Sequence, residues 1–315
     1  MSIKDSAYTH FIELCLKLCS CIPLFFSKYS KKTYNNHQLL SLLIFKQKLK
    51  ISYAELIEDL KTRPTILQIL SLTKIPDEST IRKFARRLST NILHHLLGQT
   101  ITLTRKKKLH LGIDATGFHV EDSSYHYRKR LGKRAIVRKN VKLSIAVETD
   151  KQLILAARIH KSEVHDINDF KQLLKKTAQI MQCKIVVTDK GYAAESSHET
   201  AHDLGMDCVI PPRNADVPIH RTKGFYRKKM KRGYSKRKYH QRSKVETVNF
   251  VTKRLGAVIY AKRWCMQIRE VLFRLLAYNI HRLTKLWRIS GLPANGKVYI
   301  TCLLQIKHES EGQKG

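Results

Sequence analysis

Apolar residues recur at three- and four-residue steps through "NNHQLLSLLIFKQKLK" and "SYAELIEDLKTRPTILQILSL", the spacing of amphipathic helices. The N-terminal third of the chain therefore reads as all-helical. In "IPDESTIRKFARRLSTNILHHLL", Pro76 closes a turn and Asp77 or Ser79 is placed to cap a new helix. That helix sets Arg82, Lys83, Arg86 and Arg87 beside Ile81, Phe84 and Leu88. A short basic helix after a turn suits a helix-turn-helix unit, here 68–97, docking on a duplex; an amphipathic helix with a solvated basic face is the competing reading.

From Lys108 the period changes to two. "LHLGIDATGFHV", "VKLSIAVET" and "QLILAARI" predict three adjacent antiparallel strands. "HDINDFKQLLKKTAQIMQ" predicts a helix capped by Asp166, and the consecutive Ile185, Val186 and Val187 of "KIVVTD" predict a central strand buried on both faces. A weaker helical stretch to Gly205, a short strand in "CVIPPR" and two closing helices, 239–256 and about 264–288, complete the pattern. Three antiparallel strands, helix, strand, helix, strand, helix is the order of an α/β ribonuclease-H-like domain. The expected division is a helical region suited to DNA binding over 1–104, a ribonuclease-H-like domain over 105–290 with a basic insertion at 221–238, and a tail over 291–315.

Charge narrows the partner. The 60 Lys and Arg against 25 Asp and Glu give +35, which fits a polyanion, and nucleic acid first, because counterion release rewards many cationic contacts. The insertion "RTKGFYRKKMKRGYSKRK" holds ten Lys or Arg in 18 positions, with Phe225, Tyr226 and Tyr234 interleaved. It reads as a solvated loop in contact with DNA through Lys228, Lys229 and Arg232, as does "YRKRLGKRAIVRK" at 127–139. The seven cysteines lack zinc-site spacing, and with no disulfide framework they suit reduced thiols in a cytoplasmic, nucleoid-associated protein. "FIELCLKLCSCIPLFF" is broken by Glu13, Lys17 and Pro23 and reads as a packing helix rather than a membrane span.

Few acids stand in this basic background, and three of them are set to meet. Asp189 ends "KIVVTD", so it should emerge at the carboxyl edge of the sheet, where ligands of open α/β sheets sit. Asp114, in "GIDATG", points to the strand face opposite Leu111 and Ile113. In "YHQRSKVETVNFVTKRLG", at about 100° per residue, Tyr239, Arg242, Glu246 and Lys253 fall near 0°, 300°, 340° and 320° on a helical wheel. The apolar Val245, Val248, Val251 and Leu255 fall on the other side. Three carboxylates brought together would repel, but a pair of Mg²⁺ ions, with Mn²⁺ as a substitute, would hold them and drive in-line displacement at phosphorus. Arg242 and Lys253 would grip DNA phosphates and Tyr239 would hydrogen-bond a phosphate or stack on a base.

The same helix resembles a known family. Tyr239, Arg242, Glu246 and Lys253 match the Tyr-x2-Arg-x3-Glu-x6-Lys pattern of DDE transposases of bacterial and archaeal insertion sequences. "GIDATG" and "VVTDKGY" resemble that family's two aspartate segments, carried over to Asp114 and Asp189, and "SEVHD", "ISYAELIEDL" and "IPDESTIRKF" are similar as well. The likeness runs from about residue 33 to 285. It implies a ribonuclease-H-like (retroviral-integrase-like) core, two Mg²⁺ ions on Asp114, Asp189 and Glu246, and binding to the element's terminal inverted repeats. It also implies strand cleavage there and transfer into target DNA, with a homodimer on double-stranded DNA and no membrane partner. A host nuclease on the same fold and a catalytically silent DNA-binding protein are the alternatives. His165-Asp166 has no second paired cluster to make a phosphohydrolase site, and His94-His95 sit on an apolar helix as packing groups.

Overall fold

The computed structural model describes residues 7–104, 109–121, 130, 140–161 and 165–290. Six helices come first: α1 (Ala7–Cys19), α2 (Asn36–Leu49), α3 (Tyr53–Lys61), α4 (Pro64–Ile69), α5 (Glu78–Arg87) and α6 (Thr90–Gln99). Their starts follow local chemistry. Asn35 and Ser52 each form a capping box, with Gln38 and Glu55 returning the hydrogen bond. Asp77 stands at the N-cap of α5 with an extended backbone but makes no side-chain cap bond.

The sheet follows, with β1 (Leu109–Val120), β2 (Asn140–Glu148), β3 (Leu153–His160), β4 (Cys183–Thr188), β5 (Asp207–Val209) and β6 (Val258–Ile259). The strands lie in the order β3-β2-β1-β4-β5. β1, β2 and β3 pair antiparallel, while β4 runs parallel to β1 and β5 parallel to β4. This is the ribonuclease-H-like sheet. Helices α7 (Asp166–Ile180) and α8 (Glu195–Asp203) make the crossovers to β4 and β5. Helices α9 (Phe225–Arg232), α10 (Lys236–Tyr239), α11 (Ser243–Arg254) and α12 (Trp264–Ser290) complete the chain, with a 3₁₀ turn at His240–Arg242 leading into α11.

Four expectations need correction. Helix α7 starts at Asp166, with His165 in the N-cap position; Asp166 is the first helical residue, and its carboxylate pairs with Lys142 instead of capping. The basic 221–238 segment is not a loop: it is largely helical, as α9 and α10. The helix expected over 239–256 is broken by the 3₁₀ turn and ends at Arg254. Strand β6 was not expected; it pairs in parallel with His119 and Val120 at the far end of β1. The 127–139 segment, Arg130 apart, and the 291–315 tail lie outside the described residues.

One continuous apolar core joins the helical N-terminal region to the sheet. Helix α12 bridges them. Its buried Asn279 accepts from the Ile154 N–H (2.9 Å) and donates to the Ile154 carbonyl (2.7 Å) and the Thr100 hydroxyl (2.8 Å). A buried amide is stable there because each of its groups is satisfied. Arg274, also buried, donates to the Gly256 carbonyl at 2.8 Å and so fixes the chain leaving α11. Among the described residues, no helix is long and apolar enough to cross a membrane.

Candidate active site

Register places the two aspartates side by side. The last paired residues of β1 and β4 are Ile113 and Thr188, so Asp114 and Asp189 are the next residues on adjacent parallel strands. β6 joins the same edge of β1 only at His119. Among the described residues no strand pairs with this edge beside Asp114, and α11 packs there on β1.

Gly112 sets how closely that helix approaches. It shares a strand face with Asp114, and a Cβ there would collide with Val245. Glycine lets the helix settle directly on the strand. Val245 and Val248 are completely buried, which turns the next residue, Glu246, to the rim.

Arg242 is the group on which the acids converge. Its Nη2 lies 2.8 Å from Glu246 Oε1 and 3.9 Å from Asp189 Oδ2. Burial opposes its charge, yet Glu246, Tyr239, Asp189 and Asp114 together hold its pKa above the ordinary guanidinium value. Asp114 is the more enclosed acid. Burial pushes its carboxyl up, and Glu246 adds to this, against the Ala115 backbone N–H, Arg242 and Asn249. Asp189 accepts from the Lys190 N–H at 2.6 Å. Tyr239 stands edge-on to Tyr234 at 5.8 Å; burial, Asp189, Tyr234 and Glu246 raise its pKa against the pull of Arg242.

Two groups escaped the sequence reading. Asn249 donates from Nδ2 to Asp114 Oδ2 at 2.9 Å, while its buried Oδ1 has no hydrogen-bond partner. It stands near 280° on the wheel, beside the arc of Glu246, so helical spacing was the available signal. Tyr192 is buried with an unpartnered hydroxyl, its pKa raised by burial and by Asp166, Asp114, Asp169 and Asp189.

Other expected residues do not join this centre. Lys253 sits two turns along α11 from Glu246, with no ion pair among the described residues. Lys228, Lys229 and Arg232 lie on α9. Arg82, Lys83 and Arg86 are exposed on α5, where Arg82 pairs with Glu78 and lies 5.8 Å over the Tyr53 ring. His94 and His95 pack on α6, and burial pushes His94 down to about 4.

The donor set fits a hard divalent cation in kind, since carboxylate oxygens are its preferred ligands. Among the described residues, no three carboxylate, imidazole or thiol groups are close enough to hold an ion as they stand. The guanidinium of Arg242 supplies the positive charge between the acids, and the orphaned Oδ1 of Asn249 leaves a further oxygen without a partner beside Asp114.

A ribonuclease-H-like sheet, with Asp114 and Asp189 side by side on its two central parallel strands and Glu246 on the helix packed beside them, defines the class. The transposase DDE domain family matches residues 105–280, more than half of the chain, and the chain belongs to that family. Among solved structures, it is similar to the piggyBac transposase in a synaptic complex with hairpin DNA. That likeness has 10% identity over 94% of this chain and 76% of that one, with a TM-score of 0.44. It is also similar to the Mos1 transposase in a paired-end complex with the left transposon end, with 12% identity over 84% and 81% and a TM-score of 0.25. No curated protein matches it.

Proposed function

We propose that this chain performs the reaction of its family, cutting DNA strands at the terminal inverted repeats of its element and joining them to target DNA. Asp114, Asp189 and Glu246 are the carboxylates that would hold two Mg²⁺ ions, or Mn²⁺ in their place. The observation that carries this reading is the single guanidinium of Arg242, reached electrostatically by acids from a strand, a strand end and a helix. Such ions, when bound, would supply charge to an attacking and a leaving oxygen at phosphorus.

The chain's own residues orient the parts. Asn249 fixes one oxygen of Asp114, and the Lys190 N–H fixes one oxygen of Asp189. Arg242, neutralising the acids before loading, is placed to move onto a phosphate of the strand. Tyr239 adds a hydroxyl or a ring for stacking, and Lys253 a cation further along α11. Arg82, Lys83 and Arg86 on α5, with Lys228, Lys229 and Arg232 on α9, position the duplex through its backbone. A homodimer would bring two element ends together.

The test is incubation of the protein with Mg²⁺ and end-labelled DNA from the repeats flanking its gene, beside Asp114→Ala, Asp189→Ala and Glu246→Gln. Nicked and joined products from the parent, and none from the variants, are expected. Equal cleavage by the variants would remove the assignment, and nicks without joining would make the protein a nuclease.

A further inference from the structure

Apart from the acids, the wall formed by α8, α9 and the segment after β5 lines a half-open cavity of about 220 Å³. Its apolar lining is Ala193, Ile210, Pro212, Val217 and Met230. Its cationic lining is Arg213, Arg221, Lys223, Arg227 and Lys231, and no Asp or Glu among the described residues lines it. Arg221, Lys223 and Arg227 form no ion pair among the described residues, so an anion entering here finds cations not already neutralised.

The cavity is built rather than incidental. The Glu195 carboxylate accepts from the Tyr226 and Arg227 N–H groups at 2.8 and 3.1 Å and caps α9. His198, which lines the cavity, is buried and stacks on Tyr226 at 5.8 Å with the rings 10° from parallel. Lys231 holds the Val217 carbonyl and so anchors the outer wall. Burial keeps the His198 pKa below its ordinary value, which leaves a neutral imidazole facing the cavity at pH 7.

We infer that this cavity binds a single nucleoside phosphate, with its phosphate on the Arg221, Lys223 and Arg227 side and its base against the apolar floor beside His198. Size sets one limit: about 220 Å³ falls below the roughly 300–1,000 Å³ of drug-sized sites, so at most one nucleotide is accommodated, part of it projecting through the open mouth, and stacked duplex is excluded. Composition sets the other. An inorganic anion would use the cations and leave the apolar floor unused, whereas a base has an apolar face and polar edges. The wall joins the acidic centre directly: Arg213 donates to the Gly191 carbonyl at 3.5 Å, and Ala193 follows Asp189 by four positions. The nucleotide is either part of a DNA strand leaving that centre or free in solution. The first source rests on the proposed function; the site itself does not.

Calorimetric titration of the full-length chain with dAMP, inorganic phosphate and a short single-stranded oligonucleotide, in metal-free buffer, tests this. Val217 is 37% exposed, so Val217→Trp can fill the mouth without disturbing the core, and Arg221→Ala/Lys223→Ala removes exposed cations. The parent is expected to bind one dAMP, about tenfold or more tighter than phosphate, and each variant to weaken dAMP by about tenfold while melting like the parent. Displacement of dAMP by the oligonucleotide identifies a strand as the source; failure to displace it identifies free nucleotide. Absence of dAMP binding, equal affinity for phosphate, or unchanged binding in both variants would overturn the site. Asp189→Ala should bind dAMP like the parent, so loss of cleavage and loss of this site are read separately.

Discussion

Gly112 and Val245 meet with no space between strand and helix: a Cβ on Gly112 would collide with the Val245 side chain. That contact sets the height of α11 over β1, and with it the place of Glu246 relative to Asp114. Gly112→Val should lift the helix at a cost of about 1–3 kcal/mol. End cleavage should fall far more than that loss explains, because a shift of about 1 Å at a site costs rate steeply. Melting and cleavage on the same preparation check this; a variant that melts early but cleaves normally would show that helix height is unimportant.

Arg242 neutralises the acids in the metal-free chain, so it competes with any cation arriving there. Arg242→Ala should bind Mn²⁺ more tightly than the parent without DNA, yet process ends poorly. Weaker Mn²⁺ binding in the variant would mean that Arg242 supports the ion instead of standing in for it.

Asn249 donates to a carboxylate, and a hydrogen bond to a charged group contributes about 1.5–3 kcal/mol. Asn249→Leu should keep the fold but let Asp114 swing, raising the Mg²⁺ concentration needed for half-maximal cleavage. Asn249→Asp adds a like charge beside Asp114 and should be worse in metal-free buffer, where its melting temperature should fall and then recover on adding Mg²⁺. Identical Mg²⁺ dependence in the parent and both variants would leave Asn249 without a role.

Acid stability has a defined sign. Burial pushes His94 and His281 down to about 4 each, below the ordinary value near 6.5, so the unfolded chain takes up protons first. Their contribution is present above pH 6.5 and is lost as pH falls toward 4. Thermal melts from pH 7 to 4 should fall accordingly, and His94→Gln should flatten the slope. A parent curve flat over that window would contradict the burial of both imidazoles.

Salt dependence separates cations on the N-terminal helices. Lys83 and Arg86 are exposed and unpaired among the described residues, whereas Arg82 is committed to Glu78 and Tyr53. Removing a cation that neutralises one DNA phosphate should reduce the slope of log affinity against log salt by about 0.9. Lys83→Ala and Arg86→Ala should each show that change and Arg82→Ala less; equal, flat slopes would remove α5 from the DNA interface.

The placement of the acids was legible because two simple periods governed it. Alternation turned Asp114 away from Leu111 and Ile113, the end of an apolar run put Asp189 at the strand edge, and 3.6-residue spacing set Glu246 opposite Val245 and Val248. What escaped depends on distant partners. The 225–232 segment reads as a charge run because the group capping its helix, Glu195, lies about thirty positions earlier. Strand β6 is two residues long and exists only by pairing with the end of β1. Asn249 is a neutral amide with no motif of its own, and its meaning comes from Asp114 in another element. The break at His240–Arg242 leaves Tyr239 and Glu246 on separate helical segments, which a single wheel cannot express.

The most direct measurement is Mn²⁺ binding to the DNA-bound protein, followed by electron paramagnetic resonance. Two bound ions that sense each other are expected in the parent, with one or both lost in Asp114→Asn, Asp189→Asn and Glu246→Gln. Unchanged stoichiometry and spectra in all three variants would contradict a centre built from these carboxylates.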